Sequence, residues 1–231
     1  MTGQRMKNEI PFIAKWALLF RNQKYPRIYR QKINLHGKRF VLINEISKIP
    51  PEERKNYILL FYAEEKHFNA FYTDLNQHRI EILQEFYAVC GLDFSTYPGL
   101  DEEENIVAIK RNRQFCSFCQ QNDILCIYNI VWTNKNSYKV AFRNVEKECV
   151  VIISTYRLQK DDDEVFRKGY LKMKQTIHPS IILCYGEPQK VMENDVSKGL
   201  VKRVPPRFEL LKLEYAEKSG QYSFLEALLS A

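Results

Sequence analysis

Five short apolar runs, separated by stretches of helical rhythm, constrain what this chain can fold into more than any other feature. The runs fall at residues 58–63, 88–94, 124–132, 150–154 and 181–185. Between them, Phe68, Phe71, Tyr72, Leu75, Ile82, Leu83 and Phe86 recur at helical spacing across 64–86. Residues 102–121 have the same rhythm, and Val165, Phe166, Tyr170, Met173 and Ile177 make one inward face over 162–178. Short continuous apolar runs suit strands buried on both faces. Their alternation with amphipathic helices, at a repeat of about 30 residues, is the signature of βαβ units. The expected fold is α/β, with a mainly parallel sheet of about five βα units. The pattern fits an open doubly wound sheet or a partial barrel equally well. Within 133–149, Tyr138 to Phe142 reads as an extra strand.

The flanks read differently. Residues 10–21 form a short helix, with Pro11 at its first position and Phe12, Ile13, Trp16, Leu19 and Phe20 on one face. Residues 28–35 and 38–43 alternate like two strands of a hairpin around His36-Gly37. Pro50-Pro51 breaks the chain, and Glu52-Glu53 open a helical turn. Pro188, Pro205 and Pro206 mark a linker-like stretch, followed by an edge strand over 208–213 and a terminal helix over 223–229. The organisation expected is a basic N-terminal helix-and-hairpin region (1–56), an α/β core (57–190) and a C-terminal extension packed on the core (191–231).

Charge is concentrated at the N-terminus. Residues 1–56 hold 13 Lys/Arg against 4 Asp/Glu, whereas the rest of the chain holds 22 against 24. A one-sided positive field attracts DNA or RNA before any specific contact forms. Arg27, Arg30, Lys32, Lys38 and Arg39 are the candidate phosphate contacts, with Tyr25 and Tyr29 available for stacking. The six cysteines lie mostly within apolar runs and read as small buried hydrophobes. With no membrane span or signal peptide legible, the expectation is a cytoplasmic, thiol-reduced protein. Oligomeric state is left open.

Several chemistries lose support. The eight glycines form no G-x-G pair and no phosphate loop, and the serine elbow is missing. The four histidines show no metal spacing. No cofactor is expected. Cys116-x-x-Cys119 lies well inside the 102–121 helix, away from the N-terminus that would activate a thiol, and reads as a buried structural pair rather than a metal or redox site. The acidic runs 101–104 and 161–164 each stand just before a helix, where capping and the helix dipole explain them without a metal. No metal site is assigned.

Ligands in parallel sheets bind beyond the carboxyl ends of the strands. Those ends carry Tyr62, Asp93 with Ser95 and Tyr97, Trp132, Ser154, and Tyr185 with Glu187. Asp93, Ser95 and Glu187 are the candidate acid–base or nucleophilic groups, and Tyr97, Trp132, Ser154 and Tyr185 the candidate substrate contacts. Asn112 is a polar residue on an apolar helical face, and Arg111 and Arg113 beside it are candidate anion clamps. The competing reading makes Asp93 a structural partner of Arg111 or Arg113, with Asn112 satisfying a loop backbone.

Six segments add a resemblance: 91–97, Arg111-Asn112-Arg113, Val131-Trp132, 151–155, 166–170 and 183–186. In this order they resemble a bacterial and phage family catalogued as domain of unknown function 4417, over about residues 58–188. The resemblance implies a protein of the kind carried by phages and mobile elements, and it points to Asp93, Ser95, Tyr97, Arg111, Asn112, Arg113, Trp132, Ser154 and Tyr185. It implies no reaction. The chain departs from the family pattern at Pro98-Gly99, at Cys116 and at Asn129, where a proline is common. The functional expectation is a nucleic-acid-associated accessory protein. The alternatives are an enzyme acting on a phosphorylated or otherwise anionic small molecule at the strand ends, and a protein–protein inhibitor module.

Overall fold

The computed structural model describes residues 11–20, 25–96, 99–158 and 163–218. Its strands are β1 (Arg39–Leu42), β2 (Tyr57–Leu60), β3 (Ala88–Cys90), β4 (Cys126–Asn129), β5 (Val150–Ser154), β6 (Ile181–Tyr185) and β7 (Val201–Val204). They form one seven-stranded sheet in chain order, every pair parallel. A doubly wound sheet reverses its strand order part-way. This one never does, so of the two expected architectures it is the partial barrel that forms, an open half-barrel with seven strands rather than about five. Parallel crossovers are right-handed, so sequential order throws the connecting helices onto one side.

The helices are α1 (Phe12–Phe20), α2 (Ala70–Thr73), α3 (Gln77–Glu85), α4 (Glu102–Gln121), α5 (Lys135–Phe142), α6 (Asp163–Ile177), α7 (Glu193–Ser197) and α8 (Arg207–Lys218). On the outer side α4 packs against β4 and α5, α5 against α6, and α1 against α4 and α2. The core there takes alternate strand residues such as Val41, Leu59, Val89, Tyr128, Val151 and Ile182. The other set, including Leu42, Leu60, Cys90, Ile127, Ile152 and Leu183, builds a second core on the inner face. Both faces are therefore apolar, which is why the strands appear as unbroken hydrophobic runs.

Two segments complete the inner face. The first is residues 25–38, a strap across the starts of the strands. Ile28 forms an isolated parallel bridge with Val145. Gln31 Oε1 accepts from the Cys126 N–H at 2.8 Å, the Asn34 N–H donates to the Tyr87 hydroxyl at 2.7 Å, and Lys38 Nζ donates to the Lys55 carbonyl at 3.0 Å. The strap thus passes the beginnings of β4, β3 and β2 in turn, with Ile33 and Leu35 packed on the inner core. The second segment is α8, which packs on β1 and adds Leu210 to the same core. Arg207 Nε, three residues past β7, donates to Glu45 Oε1 at 2.9 Å just beyond β1. The two unpaired edges of the half-barrel are tied at that point. Burial pushes the Glu45 carboxyl up, but hydrogen bonds from Lys48 and Arg207 outweigh it and hold the group below its ordinary value.

Several local expectations are corrected. The hairpin around His36-Gly37 does not form, because β1 pairs in parallel with β2 and the strap covers the inner face instead. Residues 64–86 hold a 3-10 turn, α2 and α3 rather than one helix. Residues 138–142 belong to α5, which starts with a capping box between Asn134 and Ser137. The linker-like stretch 187–206 contains α7 and β7, and 208–213 is helical within α8. The acidic run before α4 makes no side-chain cap bond, although Glu102, Glu103 and Glu104 do occupy the first turn. The terminal helix expected over 223–229 lies outside the described residues.

Trp132 lies in the helix layer, 6.0 Å from the Phe142 ring and 5.4 Å from that of Phe166. A Cβ on Gly169 would fall 2.0 Å from the Trp132 Nε1. Elsewhere in a helix, glycine to alanine adds about 1 kcal/mol of stability. Here the indole, packed against Phe142 and Phe166, would have to shift, and Gly169→Ala is expected to cost roughly 1–3 kcal/mol instead, as overpacking does. Urea denaturation monitored by tryptophan fluorescence measures the sign.

Candidate functional site

With the strap across the strand starts, the polar groups gather at the opposite, carboxyl end of the sheet. After β3, Leu92 and Phe94 are anchored in the outer core, and Asp93 between them is half-buried. The loop is gripped from α4. Asn112 Oδ1 accepts from the Phe94 N–H at 2.9 Å, and its Nδ2 donates to the Phe94 carbonyl at 3.4 Å. Asn129 closes β4 and is 1% exposed. Its Nδ2 donates to the Leu92 carbonyl and to Asp93 Oδ1, both at 3.0 Å. Its Oδ1 accepts from the Tyr62 hydroxyl at 3.0 Å. Among the described residues, every side-chain bond of Asn129 therefore serves to place Tyr62 or the loop that carries Asp93.

The Tyr62 ring, just past β2, stacks on that of Tyr185 at the end of β6, with centroids 4.2 Å apart and planes 11° apart. Side chains from both arms of the half-barrel thus meet over its inner face. Tyr156, after β5, sets its edge against Tyr185 at 5.6 Å and leaves its ring exposed. The Tyr185 hydroxyl accepts from the Arg207 N–H at 3.1 Å. Ser154 is half-buried beside them, its Oγ accepting from the Tyr156 N–H at 3.3 Å.

Electrostatics single out Asp93. Burial raises its pKa from 3.8 to about 6; the Asn129 hydrogen bond opposes that shift and the Glu65 charge adds to it. Burial, with the Asp93 charge next, holds the Tyr62 phenol well above its ordinary range. Burial likewise pushes Tyr185 up to about 12. Both phenols stay protonated at neutral pH and remain donors. Asp93 Oδ2 accepts no hydrogen bond among the described residues. The arrangement offers one carboxyl poised near neutrality, with an oxygen free, at the edge of an aromatic layer.

A family model described as Domain of unknown function (DUF4417) matches residues 25–202, from the start of the strap into β7. The chain belongs to the DUF4417 family. A curated relative, the Gene 1 protein of Mycobacterium phage L5, is 21% identical over 131 residues. That alignment covers 56% of this chain and 57% of the phage protein, so the chain spans little more than half the length of this relative. No solved structure matches the chain significantly.

The remaining candidates in this DUF4417 protein lie elsewhere or are already engaged. Arg113 is fully buried and directs its guanidinium at main-chain carbonyls: Nε to Pro26 at 2.7 Å, Nη1 to Val140 at 3.0 Å and Ala141 at 3.4 Å, and Nη2 to Arg143. It caps the C-terminal end of α5, where the helix dipole favours a cation, and binds the strap to it. The Arg111 guanidinium lies over the rings of Phe94 and Tyr72, at 5.2 and 5.7 Å. Neither arginine pairs with Asp93. Trp132 belongs to the helix layer, and Glu187 is exposed and paired with Arg203. Ser95 follows Asp93, half-buried, and Tyr97 lies outside the described residues. On the strap, Tyr25 is part of the core, and the Tyr29 N–H donates to Gln120. Arg27 pairs with Glu146 at 2.6 Å and Arg30 with Glu148. Lys38 lies over the Tyr87 ring, Arg39 donates to the Tyr57 hydroxyl at 3.1 Å, and Lys32 is exposed.

Tyr62 and Tyr156 were legible only as strand-exit residues and Asn129 only as a departure from the family pattern; none was assigned a site role from sequence. A signal for Asn129 existed, since an amide that ends a buried strand must find partners. All six cysteines are free and buried. Burial pushes the Cys116 and Cys119 thiols up, the opposite of what thiolate chemistry needs.

Two measurements separate the roles of these buried polar groups. Between pH 4 and 6 the unfolded chain has released a proton that folded Asp93 retains. Stability therefore falls as pH rises through that window, by at most about 3 kcal/mol at one unit per 1.4 kcal/mol. Asp93→Asn keeps an acceptor for Asn129 and removes the ionisation. The variant should melt higher than the parent at pH 7.5 and level with it at pH 4. Arg113→Met, by contrast, strands several carbonyls, and is expected to lose about 2–5 kcal/mol at any pH in a chemical denaturation series.

Proposed function

We propose that this protein binds a small molecule at the carboxyl-terminal mouth of its half-barrel and exchanges a proton with it through Asp93. The observation that supports this reading is the Tyr62–Asn129–Asp93 chain, which holds one carboxylate oxygen and, among the described residues, leaves the other without a hydrogen bond beside the Tyr62–Tyr185 stack. A carboxyl that titrates near 6 is mostly ionised at neutral pH yet readily protonated, so it can accept a proton and return it. The Tyr62 phenol, kept neutral, donates its one proton to Asn129 Oδ1 and so steadies the amide that holds Asp93, while the Tyr185 phenol stays protonated in the stack. Asn112 and Asn129 are positioning residues, since each acts through the loop that carries Asp93.

A nucleic-acid role rests on the charge of the strap. Its support is weaker than the composition suggests, because Glu146 and Glu148 face Arg27 and Arg30. A phage setting is in keeping with the phage relative.

Thermal-shift measurements across a metabolite panel test the proposal. At least one compound should raise the melting temperature of the parent by several degrees. Asp93→Asn should abolish that rise while remaining folded, and Tyr62→Phe, which removes one donor to Asn129, should reduce it. A complex with DNA or RNA that weakens steeply with salt, together with an inert metabolite panel, would move the function to the strap.

A further inference from the structure

We infer that the ligand of this mouth is a nucleoside monophosphate, held by Asp93 at its base and by Arg157 at its phosphate; the inference rests on the small-molecule reading above. Asp93 and Arg157 are joined by a path of rings. Asp93 is bonded through Asn129 to Tyr62, whose ring stacks on Tyr185 at 4.2 Å; the Tyr156 ring is 5.6 Å from that of Tyr185, and the Arg157 guanidinium lies 5.2 Å from the Tyr156 centroid. One end of this path accepts hydrogen bonds and the other carries a positive charge. Between them the Tyr156 side chain is exposed and carries the Arg157 guanidinium over its ring, a surface against which a base can stack. Asp93 Oδ2, which accepts no hydrogen bond among the described residues, suits an N–H on a base edge.

The loop that carries Arg157 is rigidly built. The N–H groups of Thr155 and Tyr156 both donate to the Tyr185 carbonyl, at 3.0 and 3.1 Å, and the Thr155 hydroxyl donates to the Glu187 carbonyl at 2.7 Å. Gly186, at φ +111°, admits this contact, because a Cβ there would lie 2.8 Å from the Tyr156 nitrogen. Arg157 itself has φ +61°, a left-handed conformation that glycine or asparagine adopts with less strain. Its side chain is exposed and forms no ion pair among the described residues. A guanidinium at the strand ends that forms no ion pair among the described residues, on a left-handed backbone, is the anion clamp that Arg111 and Arg113 do not provide.

Calorimetric titration with the four ribonucleoside 5′-monophosphates, their nucleosides and inorganic phosphate tests this. At least one monophosphate should bind tenfold or more tightly than its nucleoside. Arg157→Asn, which suits the left-handed backbone and leaves the melting temperature of the free protein unchanged or raised, should erase that difference. Asp93→Asn should weaken nucleoside and monophosphate alike by tenfold or more. If no monophosphate outbinds its nucleoside, or if Arg157→Asn leaves monophosphate affinity intact, the inference is overturned. Should a non-nucleotide from the metabolite panel bind in an Asp93-dependent way, this inference alone fails. If nothing binds through Asp93, the small-molecule reading fails with it.

Discussion

An all-parallel sheet with apolar residues on both faces must hide both from water, and the rest of this structure follows from that requirement. Right-handed crossovers place α4, α5 and α6 on one face only. Among the described residues no crossover helix covers the inner face. It is hidden by the curl of the sheet onto itself, by Ile33 and Leu35 of the strap and by Leu210 of α8. Each of these covers occupies a particular place. The strap takes the strand starts, and α8 takes the gap between the edge strands, pinned by Arg207 to Glu45. At the carboxyl end the apolar layers give way to Tyr62, Asp93, Asn129, Ser154 and Tyr185.

The same helix supports both the scaffold and the site. From α4, Arg113 reaches the carbonyls at the end of α5 and Pro26 on the strap, so one buried cation holds three segments without a carboxylate partner. One residue earlier, Asn112 clamps the backbone of Phe94 and so fixes the loop of Asp93. Asp93 is treated differently from Glu45 and Asp195, the other acidic groups enclosed by the fold. Glu45 is matched by Arg207 and Lys48, and Asp195 by Lys174 and the Tyr170 hydroxyl. Asp93 receives an amide hydrogen bond and no cation, which leaves its ionised form disfavoured. A carboxyl kept in that state works against stability, the usual mark of a group retained for chemistry rather than for the fold.

Legibility in the sequence followed the strength of local signals. The helix read at 102–121 is α4 to within a residue, and the runs 150–154 and 181–185 are β5 and β6, because long amphipathic periods and unbroken apolar runs have few competing interpretations. Errors fell where two periods coexist. In 138–142, Tyr138, Val140 and Phe142 alternate like a strand, but Asn134 and Ser137 cap a helix just upstream and the helix forms. At the sheet edges, β7 is short and only partly buried and so lacks the apolar run that marked the central strands, whereas β1 was legible as a strand over 38–43 and only its pairing, parallel to β2 rather than in a hairpin, was not. The basic residues of the strap were legible as charge, but the glutamates that face them come from the 146–148 segment, far along the chain.

By itself the sequence determined that the chain is α/β with a parallel sheet, that Asp93, Ser154 and Tyr185 lie at strand exits, and that Cys116 and Cys119 are interior. Those properties depend on spacing within a few turns or one strand. Only the tertiary structure decided that the sheet curls rather than spreads, that Tyr62 stacks on Tyr185, and that Asn129 rather than an arginine partners Asp93. Such pairings join segments distant in sequence, and they are set by the direction and curvature of a whole sheet, which no local window encodes.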